Sequence, residues 1–363
     1  MTHGFRITRL RLPPLLVALA LLAATALVAC TGDDDDEATP MAPASVPATA
    51  TLAPATATPA PAAATATPTA TPAPATATPS PTPSPTPTEP PAFPVTIEDS
   101  DGVEVTLEAA PQRIISYSPG ATEILFAVGA GDRVVAADEF SDYPPETADL
   151  ERLAYSSPDP ERALTLNPDL VIMASRQREQ IEQFRGLGMT VLFINEAESL
   201  EGVMETVIQL GAITGNQQQA AELVASMRAR IDAVTTALEG VEEGPRAFFE
   251  LTADLYTVGP DTFVGNLLTL AKAQNVATGA SSPFPQLTAE AIIAADPEVV
   301  LLADGAWGES LETVCARPGW DATSACINER VHPVDGDLTS RPGPRVVEGL
   351  EEIARLLHPD LFP

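Results

Sequence analysis

The chain reads Pro-Glu-Arg-Ala-Leu-Thr-Leu-Asn-Pro-Asp-Leu-Val-Ile-Met over residues 160–173 and Ala-Glu-Ala-Ile-Ile-Ala-Ala-Asp-Pro-Glu-Val-Val-Leu-Leu over residues 289–302. Each copy places a glutamate, Glu161 or Glu290, in the first turn of a short predicted helix and ends in an apolar run. A short apolar run without alternation is typical of a parallel strand that is covered on both faces. The repeat therefore predicts two α/β lobes built alike, each presenting an equivalent carboxylate to a two-fold partner.

One long helical pattern separates the two copies. Apolar residues recur at helical spacing through residues 216–238 without a break. Asn216 is the expected N-cap of this helix, and Gly240 is expected to end it. Strand-like and helix-like segments alternate on both sides of it, which predicts parallel sheets. We therefore expect an α/β fold of two Rossmann-like lobes, residues 94–215 and 244–363, joined by one long α-helix within residues 216–243.

The first 29 residues have the pattern of a signal peptide. Arg6, Arg9 and Arg11 precede an apolar segment that is too short to span a bilayer comfortably. The sequence Leu-Val-Ala-Cys at residues 27–30 resembles a bacterial lipobox, in which the cysteine, here Cys30, becomes the lipidated first residue. The alternative is an ordinary secretory signal followed by a chance cysteine. A lipid anchor predicts a position on the outer face of the cytoplasmic membrane.

Residues 30–93 do not have the composition of a folded domain. After a run of four aspartates they consist almost entirely of Ala, Thr, Pro and Ser, with no aromatic residue before Phe93. Such a segment buries too little apolar surface to offset its conformational entropy. Its prolines favour extended chain at about 3.1 Å per residue, which gives a reach on the order of 150 Å. We expect a disordered tether between the lipid anchor and the lobes.

The charge of the chain restricts its partners. The net charge is −31, and loss of the signal removes three arginines and no acidic residue, which leaves −34. This balance argues against nucleic acid as a partner and against a basic membrane-binding face. An acidic surface is also a common means by which exported proteins stay soluble.

Five short sequence motifs follow one another in order across both predicted lobes. They are Arg113 to Glu123, Ser141 to Pro145, Asn167 to Ile172, Phe284 to Thr288 and Ser340 to Arg345. Together with the single long helix they resemble the substrate-binding proteins of bacterial ABC importers that serve cobalamin, haem and ferric siderophores. The resemblance covers about Val95 to Leu361. The motif at Ser141 to Pro145, followed by the repeat that contains Glu161, looks most like the cobalamin-binding members.

This resemblance implies a monomeric binding lipoprotein that captures a corrinoid and delivers it to an ABC permease dimer with its ATPase. In the family, one glutamate from each lobe meets arginines on the permease subunits, which assigns docking to Glu161 and Glu290. The alternative is that both carboxylates only stabilise the first turn of a helix.

The ligand-binding cleft is expected at the C-terminal ends of the strands. By resemblance, Phe140, Tyr256 and Phe284 fall where the cobalamin binder carries ring-contacting aromatic residues. In two departures, the region of Tyr155 is one residue shorter than in that binder, and Leu338 replaces an aromatic residue. For each single aromatic residue, core packing is the alternative. The predicted ligand-binding residues are Tyr117, Phe140, Tyr155, Arg176, Tyr256, Phe284, Trp307 and Arg341.

Other ligands and functions remain open. A ferric siderophore or haem is the alternative ligand, because Arg176 and Arg341 suit anionic groups. Free metal ions and resident cofactors are not expected, since His3, His332 and His358 form no metal-binding spacing. The sequence shows no Gly-x-Ser-x-Gly elbow and no phosphate loop, which argues against an enzyme, although a scattered Ser/Asp/His set is an alternative. A lipoprotein sensor or adhesin is an alternative of another class.

The two remaining cysteines, Cys315 and Cys326, are expected to pair. The residues between them include Pro318-Gly319, whose turn chemistry lets the chain double back. An exported location favours oxidation. The alternatives are two unrelated thiols or a redox switch.

Overall fold

The computed structural model describes residues 93–362. The predicted signal peptide, Cys30 and nearly all of the predicted tether lie outside this range. The strands are β1 (Val95–Glu98), β2 (Glu104–Leu107), β3 (Ile114–Tyr117), β4 (Val134–Asp138), β5 (Glu151–Leu153), β6 (Leu170–Ala174), β7 (Val191–Ile194), β8 (Arg246–Glu250), β9 (Gln274–Asn275), β10 (Val299–Leu302) and β11 (Val331–Pro333). The α-helices are α1 (Pro119–Ala127), α2 (Pro160–Thr165), α3 (Ile181–Gly186), α4 (Leu200–Thr214), α5 (Gln217–Ala237), α6 (Phe263–Leu270), α7 (Ala289–Ala295), α8 (Leu311–Cys315), α9 (Ser324–Ile327), α10 (Gly336–Ser340) and α11 (Val346–Leu357).

The N-terminal lobe is built on a five-stranded parallel sheet with the order β5-β4-β3-β6-β7. All residues of β3, β6 and β7 are buried, as their unalternated apolar sequences predict. The chain runs from β3 outward to β5 and then returns to β6 on the other side of β3. This reversal places a switch point at the carboxyl ends of β3 and β6, where open α/β sheets form their ligand crevices. The hairpin β1–β2 precedes this sheet and turns at Gly102, whose φ is 77°.

The C-terminal lobe repeats this design on a smaller scale. Its four strands are parallel and have the order β11-β10-β8-β9. Here β8 and β10 are the pair at the switch point, so the loops after Glu250 and Leu302 lie at the corresponding edge of the second sheet. The two parallel sheets confirm the predicted α/β fold class.

The helix between the lobes is α5, which has 21 residues and is therefore about 32 Å long. Its buried residues Ala220, Met227 and Val234 lie seven positions apart and form a single stripe. This stripe belongs to one hydrophobic core that includes residues of both lobes. On the surface of the helix, Arg230 donates to both carboxylate oxygens of Glu351, at 2.8 and 2.7 Å. The helix is thus packed against both lobes rather than suspended between them.

The two ends of α5 differ from the sequence prediction. The Asn216 side chain makes no capping hydrogen bond, and its Oδ1 atom instead accepts from Arg133 Nη2 at 3.3 Å. At the other end the helix stops at Ala237, and Gly240 lies beyond it. Asn216 is thus the N-cap residue of α5, as predicted, but Arg133 holds the side chain that would otherwise make the capping hydrogen bond. The prediction that Gly240 ends the helix is wrong, because Leu238 is the C-cap residue.

A disulfide-closed loop covers one edge of the second sheet. Cys315 and Cys326 are bonded, with their Cα atoms 5.7 Å apart. Inside the loop, Arg317 donates to both oxygens of the fully buried Glu250, at 2.7 and 2.6 Å. Trp320 is also buried in this loop, with its ring centroid 5.9 Å from that of Phe248. The loop thus supplies both the counter-charge and the apolar cover for the carboxyl end of β8.

Asp304 lies next to this loop, just after β10, and is 3% exposed. Neither of its carboxylate oxygens has a hydrogen-bond partner among residues 93–362. Burial raises the pKa of this carboxyl and the nearby charge of Glu309 raises it further, while its own backbone N–H and the charge of Arg317 oppose the shift. A buried carboxylate without partners destabilises the folded state whenever it is ionised.

We expect the double substitution Cys315→Ser and Cys326→Ser to lower the free energy of unfolding by about 3 kcal/mol, because a loop of this length is closed by the disulfide. Urea unfolding of residues 93–362 under oxidising conditions measures the loss. The single variant Ser324→Ala in the same loop is the control. Equal stability of the wild type and the double variant would contradict a structural disulfide.

We expect Asp304→Asn to stabilise the protein at neutral pH. The folded-state pKa of Asp304 lies above the unfolded value of about 3.9, so the wild type loses stability as the pH rises through the folded-state pKa. The advantage of the variant should be full above that pKa and vanish below about pH 3.9. Urea unfolding from acidic to neutral pH checks this, with exposed Asp321→Asn as the control. A difference that does not change with pH would refute the assignment.

Candidate functional site

A cleft of about 250 Å³ opens between the two lobes at the carboxyl edges of their sheets. The wall from the N-terminal lobe consists of Ser118, Phe140 and Tyr155. The wall from the C-terminal lobe consists of Asp337, Ser340 and Arg341. The lobes touch at the base of this cleft. A Cβ atom placed on Gly120 would lie only 2.5 Å from the carbonyl oxygen of Pro342. Glycine is thus required there for the backbones to approach so closely.

An ion-pair cluster joins the lobes beside this contact. Glu123, on α1, has a side chain that is 2% exposed. Arg345 donates to both of its oxygens, from Nη2 at 2.6 Å and from Nε at 3.1 Å. Arg341 Nη1 reaches the same carboxylate at 3.3 Å. A buried carboxylate held by two guanidinium groups is strongly oriented, and removal of one partner leaves a buried charge unpaired.

Arg341 is the predicted ligand-binding residue that this cluster involves most directly. Its guanidinium also lies 2.8 Å from Asp142 Oδ1 and 2.9 Å from Asp337 Oδ1. Three carboxylates therefore surround one cation, and its side chain is only 10% exposed. Arg341 lines the cleft, but its charge is already matched within the protein.

The aromatic wall of the N-terminal lobe consists of Phe140 and Tyr155. Phe140 is 54% exposed, and its ring meets that of Tyr155 edge to face with centroids 5.3 Å apart. Burial raises the pKa of the Tyr155 phenol, as do Glu196 and Asp138, whereas the charge of Arg176 opposes the shift. Arg176 itself is exposed just after β6. These residues lie together at the switch point of the first sheet.

The C-terminal lobe presents three exposed aromatic side chains, Tyr256 after β8, Phe284 after β9 and Trp307 after β10. Tyr256 is 42% exposed, Phe284 is 54% exposed and Trp307 is 82% exposed. The segments that carry Tyr256 and Phe284 are paired with each other. Tyr256 forms a β-bridge with Gln286, and the Thr257 N–H donates to the Pro285 carbonyl at 2.9 Å. Tyr256 and Phe284 are thus positioned by backbone pairing between their segments, without being packed into the core.

Tyr117 does not belong to the cleft, so its predicted role as a ligand-binding residue is wrong. Its side chain is fully buried, and its ring packs edge to face on Phe184 with centroids 5.8 Å apart. Burial strongly raises the pKa of its hydroxyl. All four residues of β3 are buried, so its position at a strand end did not reveal which face its side chain occupies.

The two duplicated glutamates occupy equivalent positions. Glu161 and Glu290 are both exposed in the first turns of α2 and α7. The capping role is performed by their neighbours, since the Asp159 carboxylate accepts from the Arg162 N–H at 3.0 Å and the Thr288 hydroxyl accepts from the Ala291 N–H at 3.2 Å. Neither glutamate is therefore needed to cap its helix.

The sequence prediction missed the cluster that holds the cleft together. Glu123, Asp142, Asp337 and Arg345 were not assigned any role. Two signals were present, a glutamate within the otherwise apolar sequence of α1 and a second arginine in Arg-Pro-Gly-Pro-Arg at residues 341–345. Their pairing spans 222 positions of sequence, which local patterns do not encode.

Two further properties hold for residues 93–362. Within this range no helix is both long and apolar enough to cross a membrane. The same residues bring together no group of three or more His, Cys, Asp or Glu side chains that could hold a metal ion.

Comparison with known proteins agrees with this architecture. Residues 114–338 match the family model described as periplasmic binding protein. The chain is 34% identical over 278 residues to YvrC of Bacillus subtilis strain 168, an uncharacterized ABC transporter substrate-binding lipoprotein, with 74% of this chain and 87% of that protein covered. It is 31% identical over 277 residues to a cobalamin-binding protein of Halobacterium salinarum, with 74% and 75% covered.

A solved structure shows the same fold. The periplasmic heme-binding protein RhuT from Roseiflexus sp. RS-1, in apo form, is similar with a TM-score of 0.62 and 27% identity, over 70% of this chain and 100% of that one. The family match at residues 114–338 extends across both lobes and the helix between them, and one relative is named as an ABC transporter substrate-binding lipoprotein. The chain belongs to the periplasmic binding protein family.

Proposed function

We propose that this protein captures a corrinoid in the interlobe cleft, outside the cytoplasmic membrane, and delivers it to the permease of an ABC importer. The observation that carries the proposal is the cleft itself, with an exposed aromatic wall on one lobe and a charge-compensated polar wall on the other. The protein acts by binding and release, without catalysis. In the proposed arrangement Cys30 carries the lipid anchor, and the ATPase drives transport through the permease.

The electrostatics of the cleft support a ligand without strong negative charge. The charged side chains that line it are Glu196, Asp337 and Arg341. Arg341 is held by three carboxylates, so an anionic ligand would have to compete with them for the guanidinium. A corrinoid presents neutral amide groups, which donate hydrogen bonds to carboxylates, and a broad ring, which packs against aromatic side chains. The similarity to a cobalamin-binding protein supports the same ligand.

Haem or a ferric siderophore is the second candidate. Its support is the similarity to a heme-binding protein and the exposed Arg176 close to Tyr155. Arg176 makes no ion pair within residues 93–362, so its guanidinium is open to an anionic group of a ligand. A lipoprotein sensor or adhesin lacks a comparable observation in its favour.

We expect isothermal titration of residues 93–362 to show saturable binding of cyanocobalamin, with weaker binding of haemin and of ferric siderophores. Phe140→Ala should weaken cyanocobalamin binding about tenfold, because it removes an exposed ring from the cleft wall. Ile327→Ala, at an exposed apolar residue of the other lobe, is the control. Tighter binding of haemin would select the second candidate, and binding of none of these ligands would overturn the transport proposal.

We expect Glu161→Arg combined with Glu290→Arg to abolish stimulation of the cognate importer's ATPase while ligand affinity changes by less than about 1 kcal/mol, since neither glutamate lines the cleft. Reconstituted importer and calorimetry measure the two effects separately. The matched control is Glu239→Arg combined with Glu242→Arg, which reverses two exposed charges after α5. A parallel loss of ligand affinity would show that the glutamates serve the fold instead.

A further inference from the structure

A buried carboxylate lies directly behind the aromatic wall of the cleft. Asp138 is the last residue of β4, and its side chain is fully buried. Its Oδ1 atom accepts from the Phe140 N–H at 2.8 Å, and its Oδ2 atom accepts from the Ser141 hydroxyl at 2.6 Å. Burial of this group opposes ionisation and raises its pKa, which the two hydrogen bonds counteract. Both donors belong to the loop that carries Phe140.

A chain of hydroxyl groups continues this contact beneath the cleft. Ser141 Oγ lies 2.9 Å from Thr122 Oγ1, and Thr122 Oγ1 donates to Ser116 Oγ at 2.9 Å. Ser116 Oγ in turn donates to the Ser118 carbonyl at 3.1 Å. Ser118 lines the cleft and caps α1. Because Ser141 donates its one hydrogen to Asp138, the Thr122 hydroxyl can donate to only one of Ser141 Oγ, Ser116 Oγ and the Ser118 carbonyl at a time. These polar contacts link two parts of one cleft wall through the protein interior.

Few packing contacts hold the side chain of Phe140 in position. More than half of its side chain is exposed, and its aromatic contact is the edge of Tyr155. The hydrogen bond to Asp138 fixes its backbone at the point where the chain leaves β4. A second hydrogen bond fixes the backbone of Tyr155, whose N–H donates to Glu139 Oε1 at 3.2 Å. The orientation of the wall thus depends on polar contacts more than on packing.

We propose that Asp138 is a positioning residue for ligand capture, whose buried carboxylate presets Phe140 and, through Ser141 and Thr122, the cleft wall at Ser118. This inference rests on the proposed binding function of the cleft. Asp138 does not itself reach the cleft. It acts by reducing the conformational freedom that the wall would otherwise lose when a ligand binds.

The test is a double-mutant cycle read by calorimetry with cyanocobalamin. Asp138→Ala is expected to weaken binding about tenfold, which corresponds to loss of charge-assisted hydrogen bonds. Because Asp138 acts largely through Phe140, the variant with both Asp138→Ala and Phe140→Ala should lose clearly less affinity than the sum of the two single losses. Asp138→Asn should restore affinity, because its amide oxygen accepts from the Phe140 N–H and its amide nitrogen donates to Ser141 Oγ.

The control for a general loss of stability is Asp169→Ala. The Asp169 carboxylate also accepts from two backbone N–H groups, those of Gln112 and Arg113, at 2.7 and 2.9 Å. It lies at the opposite edge of the same sheet, so its loss should leave affinity unchanged. Additive losses in the cycle, or an Asp138→Asn variant as weak as Asp138→Ala, would overturn the inference.

A measurement without ligand separates this inference from the proposed function. The Phe140 amide hydrogen should exchange slowly in the wild type, rapidly in Asp138→Ala and slowly again in Asp138→Asn, as followed by NMR. Rapid exchange in the wild type would refute the positioning role even if the cleft binds a corrinoid. Slow exchange that follows this pattern, in a protein that binds none of the ligands tested, would support the positioning of Phe140 and contradict only the transport proposal.

Discussion

The shared hydrophobic core along α5 is the constraint on which the rest of the structure depends. The two parallel sheets are not hydrogen-bonded to each other, so the relative position of the lobes is set by the elements that pack between them. The buried stripe at Ala220, Met227 and Val234 joins a core that contains residues of both lobes. Because such a seam is close-packed, lobe motion about it requires repacking and not only rotation of a flexible linker. The helix thereby fixes the relative position of the two lobes whose walls form the cleft.

The polar cluster at Glu123 also joins the two lobes, beside the cleft. Its carboxylate comes from the N-terminal lobe and its two guanidinium groups come from the C-terminal lobe. The desolvation of three charged groups is offset by bidentate geometry and by Asp142 and Asp337 around Arg341. One consequence is functional, because Arg341 at the cleft is already paired with carboxylates of the protein and is not free for a ligand. Cleft residues must therefore be weighed by their existing partners as well as by their chemical type.

Much of the cleft is prepared by residues that never reach it. Asp138 and Glu139 orient the loop and the neighbouring segment that carry Phe140 and Tyr155. In the second lobe, Arg317 neutralises Glu250 from within a disulfide-closed loop. In both lobes, a hydrogen-bonded carboxylate, Asp138 or Glu250, lies at the carboxyl end of a strand near the centre of its sheet. The exposed aromatic residues can then be presented to solvent without the support of a packed core.

The sequence by itself determined the elements and their order. The apolar runs at Leu170 and Val299, the unbroken helical stripe after Asn216 and the turn at Gly102 are local patterns, and each produced the expected element. Only the tertiary structure decided which side chains meet. Tyr117 lies in a strand that is buried on both faces, so its sequence carries no alternation to show which way the ring points. The pairing of Glu123 with Arg345 joins residues 222 positions apart, and such a contact exists only after α5 has brought the two lobes together.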